Sequence, residues 1–141
     1  MFEAAGATWG LTDPDFGNDD LPANKTTLQE LIEDTGVRTL MYLYDFGDSW
    51  EHKLRIGKMT EPAPGELYPR LTDIKGTCPP EDIGGVPGYY YFLEALADNN
   101  HPEHDELKEW HGEDFDPESP NADTLRRHVS QLAKRWKPRK R

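Results

Sequence analysis

The chain has 141 residues and a net charge of −11, with apolar residues at 35% and charged ones at 30%, a length suited to one core rather than two well-buried ones. Its lone cysteine, Cys78, excludes an internal disulfide and suits a reducing, cytoplasmic setting. Met1 to Gly10 has neither the basic nor the apolar region of a secretion signal, and no apolar run nears the roughly 18 residues that cross a bilayer.

Residues 1–25 are dense in turn formers (Asp13-Pro14-Asp15, Gly17-Asn18-Asp19-Asp20, Pro22), which reads as a mobile acidic loop with little regular structure. A single α+β domain is expected over residues 26–136. Thr26 or Thr27 caps a helix running to about Asp34, with Gln29 or Glu30 as the capping-box partner and Gly36 as the stop; Leu28, Leu31 and Ile32 form its apolar face. Val37–Tyr44 and Trp50–Met59 are rich in β-branched and aromatic residues and flank Asp45-Phe46-Gly47-Asp48-Ser49, which predicts a central hairpin over 37–59 in an antiparallel sheet. Leu40, Tyr42 and Tyr44 share one face of the first strand, and Trp50, His52, Leu54 and Ile56 one face of the second.

Six of the twelve prolines and five of the twelve glycines fall between Thr60 and Gly88, predicting a long irregular crossing. Three helices follow in the reading. Pro87 lies in the first turn of one ending near Asp98, whose inward stripe is Tyr89, Tyr90, Leu93, Leu96 and Ala97. Pro102 starts another, ending near Gly112, with Leu107 and Trp110 inward. The last spans about Asn121 to Trp136, with Leu125, Val129, Leu132 and Trp136 on its apolar face, and Pro138 ends it. Residues 137–141 form a basic tail. All 27 acidic residues lie at or before Asp123, so that part carries 19 negative charges net, whereas Thr124–Arg141 carries 8 positive ones.

The chemistry-bearing residues cluster at two places. Asp45, Asp48, Glu51 and His52 set three carboxylates and an imidazole at one hairpin end, ligand types for a divalent metal or a proton shuttle; the plainer reading has both aspartates bonding turn amides. Asp45-Phe46-Gly47 also spells a kinase magnesium motif, but the remaining kinase motifs are missing. Cys78, Glu81 and Asp82 lead into a helix start that could lower a thiol's pKa, with His52 as the base if the fold joins the two places, although the adjacent carboxylates oppose ionisation. His101 and His104 have a zinc-compatible spacing, yet Pro102 makes His101 a cap and His104 a solvated side chain. Arg126, Arg127, Lys134 and Arg135 offer a charge-driven contact to nucleic acid, without interleaved aromatics. No residue pattern names a cofactor.

Five strings in order, Tyr44-Asp45-Phe46-Gly47-Asp48-Ser49-Trp50-Glu51-His52, Tyr68-Pro69-Arg70, Cys78-Pro79-Pro80-Glu81-Asp82-Ile83-Gly84-Gly85, His101-Pro102-Glu103-His104 and Phe115-Asp116-Pro117-Glu118, resemble the Ri-plasmid ORF-3-like family, also labelled an insertion-element passenger protein. The resemblance implies an α+β fold with an antiparallel sheet and a link to plasmids and mobile elements. It implies no established substrate, cofactor or catalytic residue. Family members usually begin with a further segment of around forty residues, of which Phe2–Gly10 looks like the tail; a missing first strand would leave an unpaired sheet edge and favour a homo-oligomer. Leu71 stands near where a second cysteine often occurs, which argues against a two-cysteine metal site.

Two functions from different classes follow. One is a non-enzymatic accessory or interaction protein, binding an unknown protein or small ligand through an exposed surface with Trp50, Tyr89 or Tyr90. The other is a metal-assisted or cysteine-based hydrolase using Asp45, Asp48, His52, Cys78, Glu81 and Asp82 between the 45–52 hairpin end and the 78–88 loop. A membrane partner is not expected.

Overall fold

The computed structural model describes residues 1–11, 19–111 and 115–136. The chain groups into two compact units, Met1–Met59 with Gly84–Gly88, and Thr60–Ile83 with Tyr89–Arg141. The class is α+β, as the sequence indicates, with a five-stranded sheet and four helices among the described residues.

The first unit carries the sheet, in the order β3-β2-β1-β4-β5. β1 (Phe2–Ala4) and β2 (Ala7–Gly10) form a tight antiparallel hairpin, β3 is Leu21–Pro22, β4 is Thr39–Tyr44 and β5 is Trp50–Arg55. The opening residues are therefore not the irregular loop their turn formers suggest. Ala5 and Gly6 both take positive φ, 50° and 79°, giving a two-residue connection of the primed type whose twist suits the flanking strands. Phe2, Ala4, Ala7 and Trp9 then fall on one face, while Glu3 and Thr8 fall on the other. Asp13-Pro14-Asp15 and Gly17-Asn18 lie outside the described residues. The sheet is mixed, because β3 pairs with β2 in parallel, whereas β1–β2, β1–β4 and β4–β5 are antiparallel.

α1 (Leu28–Thr35) forms as its signals dictate. The Thr27 side chain accepts from the Glu30 amide, the Glu30 carboxylate accepts from the Thr27 amide at 2.7 Å, and Gly36 closes the helix at φ 67°. The bond from the Thr27 amide first, and that from the Thr27 hydroxyl second, hold the Glu30 carboxyl below the usual range. The core of this unit is Ala4, Trp9, Leu31 and Leu40, with Phe2, Val37 and Ile56 packed against it. β5 stops at Arg55 rather than Met59.

The second unit holds most of α2 (Gly85–Ala97), α3 (His104–His111) and α4 (Ala122–Arg135). The inward residues of α2 are Phe92 and Ala95, 1% and 0% exposed, whereas Tyr90 at 68% and Ala97 point outward, correcting the stripe drawn from the sequence. Phe92 meets Phe115 edge-on at 5.1 Å and His111 at 4.8 Å. On α3 the buried residue is His104, whose Nδ1 lies 2.9 Å from the Ala95 carbonyl oxygen, so it is a core group and not a solvated one. Trp110 is 54% exposed instead of inward. A ring nitrogen that can satisfy a buried carbonyl explains the reversal on α3. His101 does act as the cap-like acceptor, taking the Glu103 amide on Nδ1 at 3.2 Å. α4 starts at Asn121, whose side chain accepts from the Thr124 amide, and Trp136 at its end is two-thirds exposed rather than part of the apolar face. The predicted helix end near Gly112 and the 137–141 tail lie outside the described residues. No helix among the described residues is long and apolar enough to cross a membrane.

Candidate functional site: an apolar cleft and an aromatic row on one sheet face

The β4–β5 register sets the chemistry of the first unit. Leu40 pairs with Leu54, Tyr42 with His52 and Tyr44 with Trp50, so all six side chains share a face, as the alternation requires. Phe2 pairs with both Tyr42 and Trp9, adding two more rings to that face. Phe2 stacks on Tyr42 at 4.6 Å, and His52 lies 5.6 Å from Tyr42 and 6.4 Å from Tyr44. The result is a continuous aromatic row.

At the other end of the same face the sheet opens into an apolar cleft of about 300 Å³. Phe2, Trp9, Leu40 and Leu54 form its floor, Leu28 and Leu31 of α1 its roof, and Ala23, Thr26 and Thr27 its rim. Both threonine hydroxyls are engaged within the chain, Thr26 donating to the Pro22 carbonyl and Thr27 belonging to the capping box. Among the described residues, no titratable side chain lines this cavity. Sequence reasoning missed the cleft because it placed Phe2 and Trp9 in a loop; their alternation with Glu3 and Thr8 was the available signal.

The hairpin end is a structural device. The Asp45 carboxylate accepts from the Gly47 amide at 2.8 Å and the Asp48 amide at 3.3 Å, and the Ser49 amide reaches the Asp45 carbonyl at 2.6 Å. Asp48 in turn accepts the Gly84 amide at 3.1 Å, immediately before α2. Gly85 follows at φ +66°, and a Cβ there would lie 2.3 Å from the Asp48 carbonyl oxygen. The hairpin tip and Gly84–Gly85 are thus joined within this unit. His52 is exposed, with Nδ1 donating to the Trp50 carbonyl oxygen at 3.2 Å.

In the second unit Cys78 is exposed, as are Glu81 and Asp82, the latter at φ 56°. The segment before Cys78 is strapped to the last of the family strings. The Thr77 amide donates to the Pro117 carbonyl at 2.8 Å and its hydroxyl to the Asp116 carbonyl at 2.5 Å. Tyr89 is half-buried beside this strap, edge-on to Phe115 at 6.4 Å. Burial first, then the electrostatic influence of Glu118 and of Cys78, pushes its phenol upward. Among the described residues no group of three His, Cys, Asp or Glu side chains could hold a metal ion. On α4, Arg126 forms an exposed ion pair with Asp123 at 3.3 Å, Arg127 bonds the Thr124 hydroxyl at 3.4 Å, and Lys134 and Arg135 are exposed.

Comparisons with known proteins agree with this architecture. Residues 1–124 match the family described as plasmid pRiA4b ORF-3-like protein. The chain is 43% identical over 129 residues to the uncharacterized protein y4hQ of Sinorhizobium fredii, covering 91% of this chain and 66% of that protein. It also resembles the crystal structure of a protein of unknown function from Methanosarcina mazei Go1, with 38% identity and a TM-score of 0.64 over 70% of this chain and 55% of the other. The chain therefore spans roughly two thirds or less of the length of the relatives it matches. The match over residues 1–124 places the chain in the plasmid pRiA4b ORF-3-like family.

Proposed function

We propose that the chain is a non-enzymatic interaction protein, an accessory protein of plasmids or mobile elements acting in the cytoplasm, whose cleft beneath α1 seats an apolar side chain of a partner protein. The observation that carries this reading is the lining, which among the described residues is seven apolar side chains and two threonines whose hydroxyls are already engaged. Such a surface offers area and shape to an apolar anchor but no acid, base or nucleophile to a substrate. The aromatic row that continues from Phe2 through Tyr42 to His52 supplies the flat, partly polar surroundings that commonly enclose an anchor.

The hydrolase alternative has less support. Its two aspartates are engaged by the amides of Gly47, Asp48 and Gly84, as structural turn residues are.

Titration of the purified chain with the apolar dye anilinonaphthalene sulfonate tests the reading. Saturable binding at one site is expected, and Leu28→Glu should abolish it while the circular dichroism spectrum is retained, because Leu28 is 55% exposed on the cleft roof. Binding that ignores the substitution would contradict the proposal. So would a stoichiometric bound divalent metal accompanied by hydrolytic activity that Asp48→Asn removes.

A further inference from the structure

The β5 edge is where the first unit remains open. Met1 and Leu43 exchange both backbone bonds, at 3.0 and 2.8 Å, so the Leu43 amide and carbonyl point toward β1. Alternate residues of an antiparallel strand point opposite ways. Tyr42, Leu40 and Tyr44 therefore bond His52, Leu54 and Trp50 across β4–β5, which turns the amides and carbonyls of Glu51, Lys53 and Arg55 outward. Among the described residues β5 pairs only with β4, and Glu51 through Arg55 are exposed. The opposite edge cannot serve in the same way, since β3 is two residues long and Pro22 has no N–H.

We propose that two copies of this chain pair through β5, antiparallel, in a register centred on His52. The outward groups are those of odd-numbered residues, so a second β5 must place odd residues opposite odd ones. Centring on His52 sets Glu51 against Lys53 of the second copy and, by symmetry, Lys53 against Glu51. On the aromatic face it sets Trp50 against Leu54 in both directions. The two His52 rings meet at the centre, and the pairs on either side of them are complementary, opposite charge on one face and apolar contact on the other. Centring on Lys53 instead stacks that ammonium on its own copy. An edge guarded against pairing carries charges that repel a second strand; here the change of sign between Glu51 and Lys53 makes antiparallel self-pairing attractive. Among the described residues neither side chain has an ion pair to give up. Joining two edges makes a ten-stranded sheet with the two clefts on the same face. This inference is independent of what occupies the cleft.

Sedimentation equilibrium on the full chain and three variants tests it. Glu51→Lys and Lys53→Glu should each raise the dimer dissociation constant about tenfold, since two symmetry-related pairs turn from opposite to like charge. The double swap Glu51→Lys/Lys53→Glu should restore the original value within about threefold. The register has its own readout. In a Cys78→Ser background, His52→Cys should form an intermolecular disulfide under mild oxidation, because the two central Cα atoms of a non-hydrogen-bonded pair lie about 4.5 Å apart. A monomer at all accessible concentrations, an association that the double swap fails to restore, or cross-linking through Lys53→Cys and not His52→Cys would each overturn the proposal.

Discussion

Gly85→Ala is the substitution the first unit should tolerate least. Gly85 sits at φ +66°, where an L side chain costs roughly 1–2 kcal/mol. The added Cβ would also fall 2.3 Å from the Asp48 carbonyl oxygen and 3.3 Å from its carbon. That oxygen is backbone, held in a loop whose amides are tied to Asp45, so it cannot swing aside as a flexible side chain would. Relieving such an overlap costs about 1–3 kcal/mol. The two terms together give about 2–5 kcal/mol, or a fall in Tm of about 6–15 °C for a chain of this size. Gly57→Ala is the control, since nothing lies within 4 Å of its added Cβ, and its effect should stay within about 0.5 kcal/mol. Urea denaturation followed by tryptophan fluorescence reads both variants. A Gly85→Ala midpoint equal to that of the wild type would refute the close approach of the hairpin tip to the start of α2.

Other consequences can be checked with the same protein. Thr27→Ala removes the α1 cap and should cost about 1 kcal/mol in urea denaturation. The Thr27 amide and then its hydroxyl hold the Glu30 carboxyl below its ordinary range, so its contribution is present above the ordinary carboxylate pKa and fades as pH falls through the lower folded value; Glu30→Ala should flatten that acid limb of the stability curve. His111 has its folded pKa lowered from 6.5 by burial, which makes the same sign: the fold is favoured above that pH and loses stability below it, and His111→Phe should remove this dependence in a pH series of thermal melts. Cys78 is exposed and should be fully alkylated by iodoacetamide in the folded chain, leaving dye binding at the cleft unchanged.

Local signals carried the parts of the fold that depend on neighbours in sequence. The α1 capping box and the β4–β5 hairpin tip rest on side chains bonding amides two or three residues away, and the Gly36 stop on a left-handed glycine whose amide donates to the Ile32 carbonyl; each is present. The β1–β2 hairpin was harder to read because its turn is Ala5-Gly6. Ala5 adopts a positive φ that an Asn or Asp would have advertised. On α2 the unbroken apolar run from Tyr89 to Leu93 leaves the helical period without contrast, so the choice of Phe92 and Ala95 over Tyr90 was settled by tertiary packing. The same holds for His104, whose burial depends on a carbonyl nine residues away. Among the candidate site residues, the turn-bonding role of Asp45 was legible from residue type, whereas the bond from the Gly84 amide to Asp48 joins residues 36 apart and was not. The cleft was not, because its floor joins β1, β2, β4 and β5, strands whose pairing is set by long-range contacts.

The most direct measurement of the binding account is an NMR titration of the uniformly ¹⁵N-labelled chain with the same apolar dye, following the four indole N–H signals of Trp9, Trp50, Trp110 and Trp136. Trp9 forms part of the cleft floor and is 6% exposed, so its signal should shift progressively to saturation while Trp110 and Trp136 stay in place. Shifts confined to Trp110 or Trp136, with Trp9 unmoved, would contradict the claim that the chain binds its partner through the cleft beneath α1.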